Sequence, residues 1–137
     1  MKDRQSKRLS FNSVVKTIRQ YEKEVLARKH VKVRFLAKAK SEYPLTKNSA
    51  YCTEKCIYMF CKKWYSSPEH MAMAFAHESC HIDDFYWKPH ESVFDYELKI
   101  YGRTPTRMHK IFNIKLSRAV RKQITKNLIA YYKQEAS

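Results

Sequence analysis

The chain has 137 residues, 44% of them apolar and 14% aromatic, enough for one domain to bury a core without disulfide staples. Its longest uninterrupted apolar run is Met71–Ala76, which excludes a transmembrane helix, and the charged opening MKDRQSKR is followed by no apolar segment of the signal-peptide kind. Twenty-eight Lys and Arg against 13 Asp and Glu give +15, a balance that favours a polyanionic partner, nucleic acid first. These features predict a protein that is not secreted, is cytoplasmic or nucleoid- or nucleus-associated, and has no membrane partner. The four cysteines at 52, 56, 61 and 80 are expected to be free thiols, because Cys52-x3-Cys56-x4-Cys61 lacks the paired C-x2-C knuckles of a zinc ribbon.

In chain order, Phe11, Val14, Val15, Ile18, Tyr21 and Val25 recur at helical spacing behind Ser10 or Asn12 as N-caps, predicting a helix from about Phe11 to Arg28. Val31, Val33 and Phe35 alternate with Lys32 and Arg34, as in a half-buried strand. Ala50–Cys52 and Cys56–Phe60 read as two strands turning near Thr53–Lys55. Pro68 behind Ser66 and Ser67 opens a helix that runs to about Tyr86, before the break at Lys88–Pro89. A shorter helix is expected from Glu91 to Tyr101, closed by Gly102, with a loop at Pro105. The last helix, about 108–134, carries Leu116, Val120, Ile124 and Leu128 on one stripe. The order predicts a single α+β domain spanning 1–137: an N-terminal helix, a short antiparallel or mixed sheet, and further helices.

Residues 77–81 read His77-Glu78-Ser79-Cys80-His81, an H-E-x-x-H motif. Positions i and i+4 share one helix face, so both imidazoles can reach one metal ion. Glu78 is placed to touch water on that ion rather than the ion itself, the arrangement of zinc-dependent hydrolysis. Chance alone would produce the three fixed letters in only about 2% of chains of this composition, and here they fall inside a capped helix. A catalytic zinc needs a third protein ligand and one open position. His90 and Glu91, just past the Lys88–Pro89 break, compete for that role, with Asp95 one helical turn beyond Glu91. His30, His70 and His109 read as surface histidines.

The stretch Ala74–Gly102, AFAHESCHIDDFYWKPHESVFDYELKIYG, resembles the core of the SprT-like zinc metallopeptidases. Those proteins pair H-E-x-x-H with a downstream histidine, followed four residues later by an aromatic and then an amphipathic helix; His90-Glu-Ser-Val-Phe94 has that spacing. Ser49–Phe60 resembles the small sheet that precedes the active-site helix. The resemblance covers about half the chain. It implies a zincin-like fold and one zinc held by His77, His81 and His90. It also implies Glu78 as the general base, and peptide hydrolysis on DNA-associated proteins. Glu91 with Asp95 resembles instead the gluzincin arrangement of ImmA-type proteases, with Glu91 as the third ligand.

From Leu98 to Gln134 the chain has no acidic residue. Lys115, Arg118, Lys122 and Lys126 follow helical spacing opposite the apolar stripe, so one positive face is expected to track DNA phosphates without reading bases. A reading from a different class is a non-enzymatic nucleic-acid-binding module with a structural zinc. Glu78 separates the two, since a closed structural site has no use for an adjacent base.

Overall fold

The computed structural model describes residues 9–36, 50–60, 65, 67–83, 93–119, 121–122 and 126. Helix α1 spans Phe11–Glu24. It begins at Ser10, whose hydroxyl accepts from the Ser13 amide at 3.0 Å while the Ser13 hydroxyl accepts from the Ser10 amide at 2.9 Å. That reciprocal pair satisfies two backbone donors that a bare helix end leaves open. Val14 and Ile18, one turn apart, are fully buried and fix which face of α1 meets the core. The helix ends earlier than its pattern suggests. A 3-10 turn over Leu26–Lys29 follows, and His30 in the left-handed region (φ 59°) turns the chain into the sheet.

The sheet has three strands, β1 (Lys32–Leu36), β2 (Ala50–Cys52) and β3 (Cys56–Phe60), in the order β1-β3-β2. β1 runs parallel to β3 with Val33 opposite Ile57, and β2 runs antiparallel to β3 with Cys52 opposite Ile57. The sheet is therefore mixed. Val33, Ile57 and Met59 project into the core at 4% exposure or less. Helix α1 also closes the outer side of β1: Glu22 accepts from the Val33 amide at 2.7 Å, and Arg19 donates to the Val33 carbonyl at 2.9 Å. Those two bonds occupy main-chain groups that an exposed edge would offer to another strand.

Helix α2 (Pro68–Asp83) starts where Pro68 and Ser67 predict, with the Ser67 hydroxyl accepting from the His70 amide at 3.1 Å. It is embedded rather than amphipathic. Ala74 through His81 are all buried, because α1, the sheet and helix α3 each cover one side of it. Phe75 meets Tyr21 and Phe112 edge-to-face at 5.9 and 6.1 Å. Truncating such a ring to alanine costs about 3–5 kcal/mol.

Helix α3 (Val93–Phe112) departs from the sequence expectation. It neither closes at Gly102 nor loops at Pro105, but continues through both. The reason is its buried stripe of Ile100, Thr104, Met108 and Phe112, four residues apart, which packs along α2. Packing of that stripe outweighs the intrinsic cost of Gly and Pro inside a helix, since propensity is the weaker term wherever tertiary packing opposes it. The real stop is Asn113 at φ 59°, whose amide donates to the His109 carbonyl at 2.9 Å. Residues 113–117 are not helical, and helical backbone returns at 118–119, 121–122 and 126. The expected single basic helix over 108–134 is thus interrupted, and Lys115 lies in the interruption. Val120, Ile124 and Leu128 of the expected stripe lie outside the described residues.

One polar network fastens α3 across the other two helices. Arg107 donates to the Tyr21 hydroxyl at 3.1 Å and pairs with Asp83, which also takes Lys29. Burial pushes the Asp83 carboxyl up, but the hydrogen bonds from Lys29 and Arg107 prevail and hold it below the usual range. The anchor lies ten residues, about 15 Å of helix, beyond Glu97.

Candidate metal centre

His77 and His81 share the face of α2 that α3 covers, and both are nearly inaccessible, at 7% and 8% exposure. Their rings stand edge-to-face with centroids 4.8 Å apart, and the two Nε2 atoms are 3.2 Å from each other. From α3, Glu97 reaches the same point: Oε1 lies 3.0 Å from His77 Nε2 and Oε2 lies 3.2 Å from His81 Nε2. Three ligand atoms from two helices therefore converge. Among the described residues this is the cluster of His, Cys, Asp and Glu with the spacing to hold a metal ion.

The donor set fits zinc. Four-coordinate zinc with bonds of about 2.0–2.1 Å sets neighbouring ligand atoms roughly 3.3 Å apart, close to the separations seen here, and two histidines with a glutamate is a known catalytic set. The surrounding hydrogen bonds point the same way. The Thr104 hydroxyl donates to the Ile100 carbonyl at 2.9 Å, so it can only accept from His77 Nδ1, 3.5 Å away. A proton on Nδ1 leaves Nε2 available as a metal ligand, on the side where the Glu97 carboxylate lies. His81 Nδ1 lies 3.1 Å from the Tyr96 hydroxyl, a partner of the kind that orients ligating histidines. Tyr101 lies against the His77 ring at 4.2 Å between centroids.

Burial would push the Glu97 carboxyl up, but hydrogen bonds and charge interactions with His77 and His81 outweigh it and hold it at about 2. The two imidazoles thus favour the ionised form of Glu97. Glu78 has the opposite environment. Burial raises its pKa, the nearby histidines offset that in part, and the Cys52 thiol of β2 donates to it. The same burial, with Glu78 beside it, pushes the Cys52 thiol up and keeps it protonated as a donor. The glutamate that could move a proton is thus held next to the ligand cluster and apart from it, against the sheet's outer strand.

The structure brings together His77, Glu78 and His81 as their spacing predicts. His90 and Glu91, the two sequence-based choices for the third ligand, lie outside the described residues. Glu97 is the residue that sequence reasoning missed. A signal existed: Glu97 begins the series Ile100, Tyr101, Thr104, Met108, a carboxylate on an otherwise inward-facing stripe. Ending the helix at Gly102 hid that series. His30, His70 and His109 do not join the cluster. Cys56 and Cys80 are buried free thiols, as expected of small apolar fillers, and Cys61 lies outside the described residues. Of the four cations expected on a DNA-facing surface, Arg118, Lys122 and Lys126 line one cavity, whereas Lys115 is not among its lining residues. No described helix is long and apolar enough to cross a membrane. No protein-family model, curated protein or solved structure matches the chain.

Proposed function

We propose that this protein is a zinc-dependent endopeptidase in which His77, His81 and Glu97 hold the metal and Glu78 is the general base. The observation that carries the reading is the convergence of His77 Nε2, His81 Nε2 and a Glu97 carboxylate beside a buried glutamate that is not part of the cluster. This is the donor set of the gluzincin alternative, supplied by Glu97 rather than Glu91. Zinc held there by His77, His81 and Glu97 would supply Lewis acidity toward water and the scissile carbonyl. Thr104 and Tyr96 contact the Nδ1 atoms of the two imidazoles and hold the rings in orientation, with both Nε2 atoms toward Glu97. Glu78 takes the proton from the attacking water and returns it to the leaving amine, with Cys52 fixing the carboxyl on the sheet side. β2, an outer strand among the described residues, lies beside Glu78, where an extended substrate would find main-chain groups to pair with.

The substrate class follows from charge. At +15, with no acidic residue between Leu98 and Gln134, the protein is drawn to polyanions, and proteins bound to DNA are the substrates this brings within reach. Glu78 also weighs against a purely structural zinc, which has no use for an adjacent base. Glu78→Gln is the test. The variant is expected to retain one equivalent of zinc by elemental analysis and to lose cleavage of DNA-bound protein. Unchanged turnover removes Glu78 from the chemistry, and zinc well below one equivalent in the parent protein removes the metallopeptidase reading.

A further inference from the structure

Beside the metal cluster lies a second concave site, a cavity of about 570 Å³. That volume falls in the usual range for small-molecule sites. Its charge is one-sided. Arg118, Arg121, Lys122 and Lys126 line it, and no described acidic residue does. The chain turns after Asn113, and the helical residues beyond the break at 113–117 place their exposed cations alongside Tyr101, Gly102, Thr104 and Pro105 of α3. The facing wall contains Tyr101 and Thr104, the residues that touch His77. Met73 and Leu116 add apolar surface.

We infer that this cavity binds a phosphate-bearing ligand of about nucleotide size, seated against the wall that orients His77. Four cations exceed what one carboxylate requires and suit two or more phosphate charges, which Arg side chains meet with paired donors. The apolar surface suits a base or another flat organic group attached to them. The volume matches a nucleotide rather than a duplex, so the phosphate comes either from a free nucleotide or from the terminal nucleotide of a single strand. The inference stands apart from the peptidase reading, because it rests on the cavity and needs neither the metal nor Glu78.

The experiment measures binding of ADP and of a 5′-phosphorylated octathymidylate to the full chain at physiological salt, by calorimetry, with adenosine as the uncharged comparison. One or both phosphorylated probes are expected to bind, and adenosine is not. ADP alone identifies a free nucleotide as the source, and the oligonucleotide alone identifies a strand terminus. Lys122→Glu and Arg118→Glu should each weaken binding by about tenfold or more, as expected when a charge-assisted hydrogen bond is replaced by a repelling charge. Lys115→Glu makes the same change in net charge away from the cavity and should alter binding by less than about threefold. The bound probe should also shift the His77 ring resonances, because Tyr101 and Thr104 are shared. Equal weakening by Lys115→Glu and Lys122→Glu would mean general attraction to a cationic protein and overturn the proposal. Absence of binding by both phosphorylated probes, or a His77 signal that does not move, would overturn it as well. None of those outcomes alters zinc content or hydrolysis, so the two readings fail separately.

Discussion

Replacing Glu97 probes the arrangement most directly, because that residue joins α3 to the histidine pair on α2. Structural zinc sites bind with roughly 10–16 kcal/mol, and dividing that over four ligands gives about 2.5–4 kcal/mol each. Glu97→Ala is therefore expected to weaken zinc by about 100- to 1,000-fold at neutral pH. The two histidines keep their Thr104 and Tyr96 partners, so the remaining pair should still bind metal weakly. Glu97→Gln, which keeps the size and one oxygen, should fall between wild type and Glu97→Ala. The assay is competition against a fluorescent zinc indicator, with far-UV circular dichroism checking that each variant folds. His90→Ala belongs in the same series, since that residue was the sequence-based choice. A change below about threefold in folded Glu97→Ala would refute Glu97 as a ligand. A larger effect of His90→Ala than of Glu97→Ala would make His90 the third donor.

Thr104→Val keeps the side-chain shape but removes the acceptor facing His77 Nδ1, and should reduce zinc affinity about 10- to 100-fold, read by the same competition. Asp83→Asn should cost about 1 kcal/mol at neutral pH, allowing for the partial exposure of the Lys29 and Asp83 side chains. Because the folded pKa of Asp83 lies below its ordinary value, that contribution is complete above about pH 4 and disappears as pH falls through the folded value. The gap between variant and parent in chemical denaturation should accordingly close in acid, and a gap that persists there would contradict the assignment. Reversing Arg118, Lys122 and Lys126 to Glu should flatten the slope of log DNA affinity against log salt by roughly 0.9 for each phosphate the variant no longer neutralises. Hydrolysis of a free peptide should survive that change, and an unaltered slope would remove these residues from contact with DNA phosphates.

What the sequence determined by itself was local. Ser10 with Ser13, Ser67 with Pro68, and the alternation of Val33 and Phe35 with charged residues each specify structure within a few residues, and each element formed where its signal lies. His77, Glu78 and His81 were legible for the same reason, since the turn of one helix sets their spacing. The parallel pairing of β1 with β3 was not legible, because strand order depends on which surfaces α1 and α2 cover. Glu97 was hidden by a conflict between levels. Gly102 and Pro105 carry strong local stop signals, and only the packing of Ile100, Thr104 and Met108 on α2 shows why the helix passes through them. The basic segment shows the converse. Charge was plain in the composition, but which cations gather around one cavity depended on the left-handed residue Asn113 and on the direction the chain takes after it. A metal site or a cavity is a meeting of distant segments, and neighbouring residues fix the shape of each segment without fixing where the segments meet.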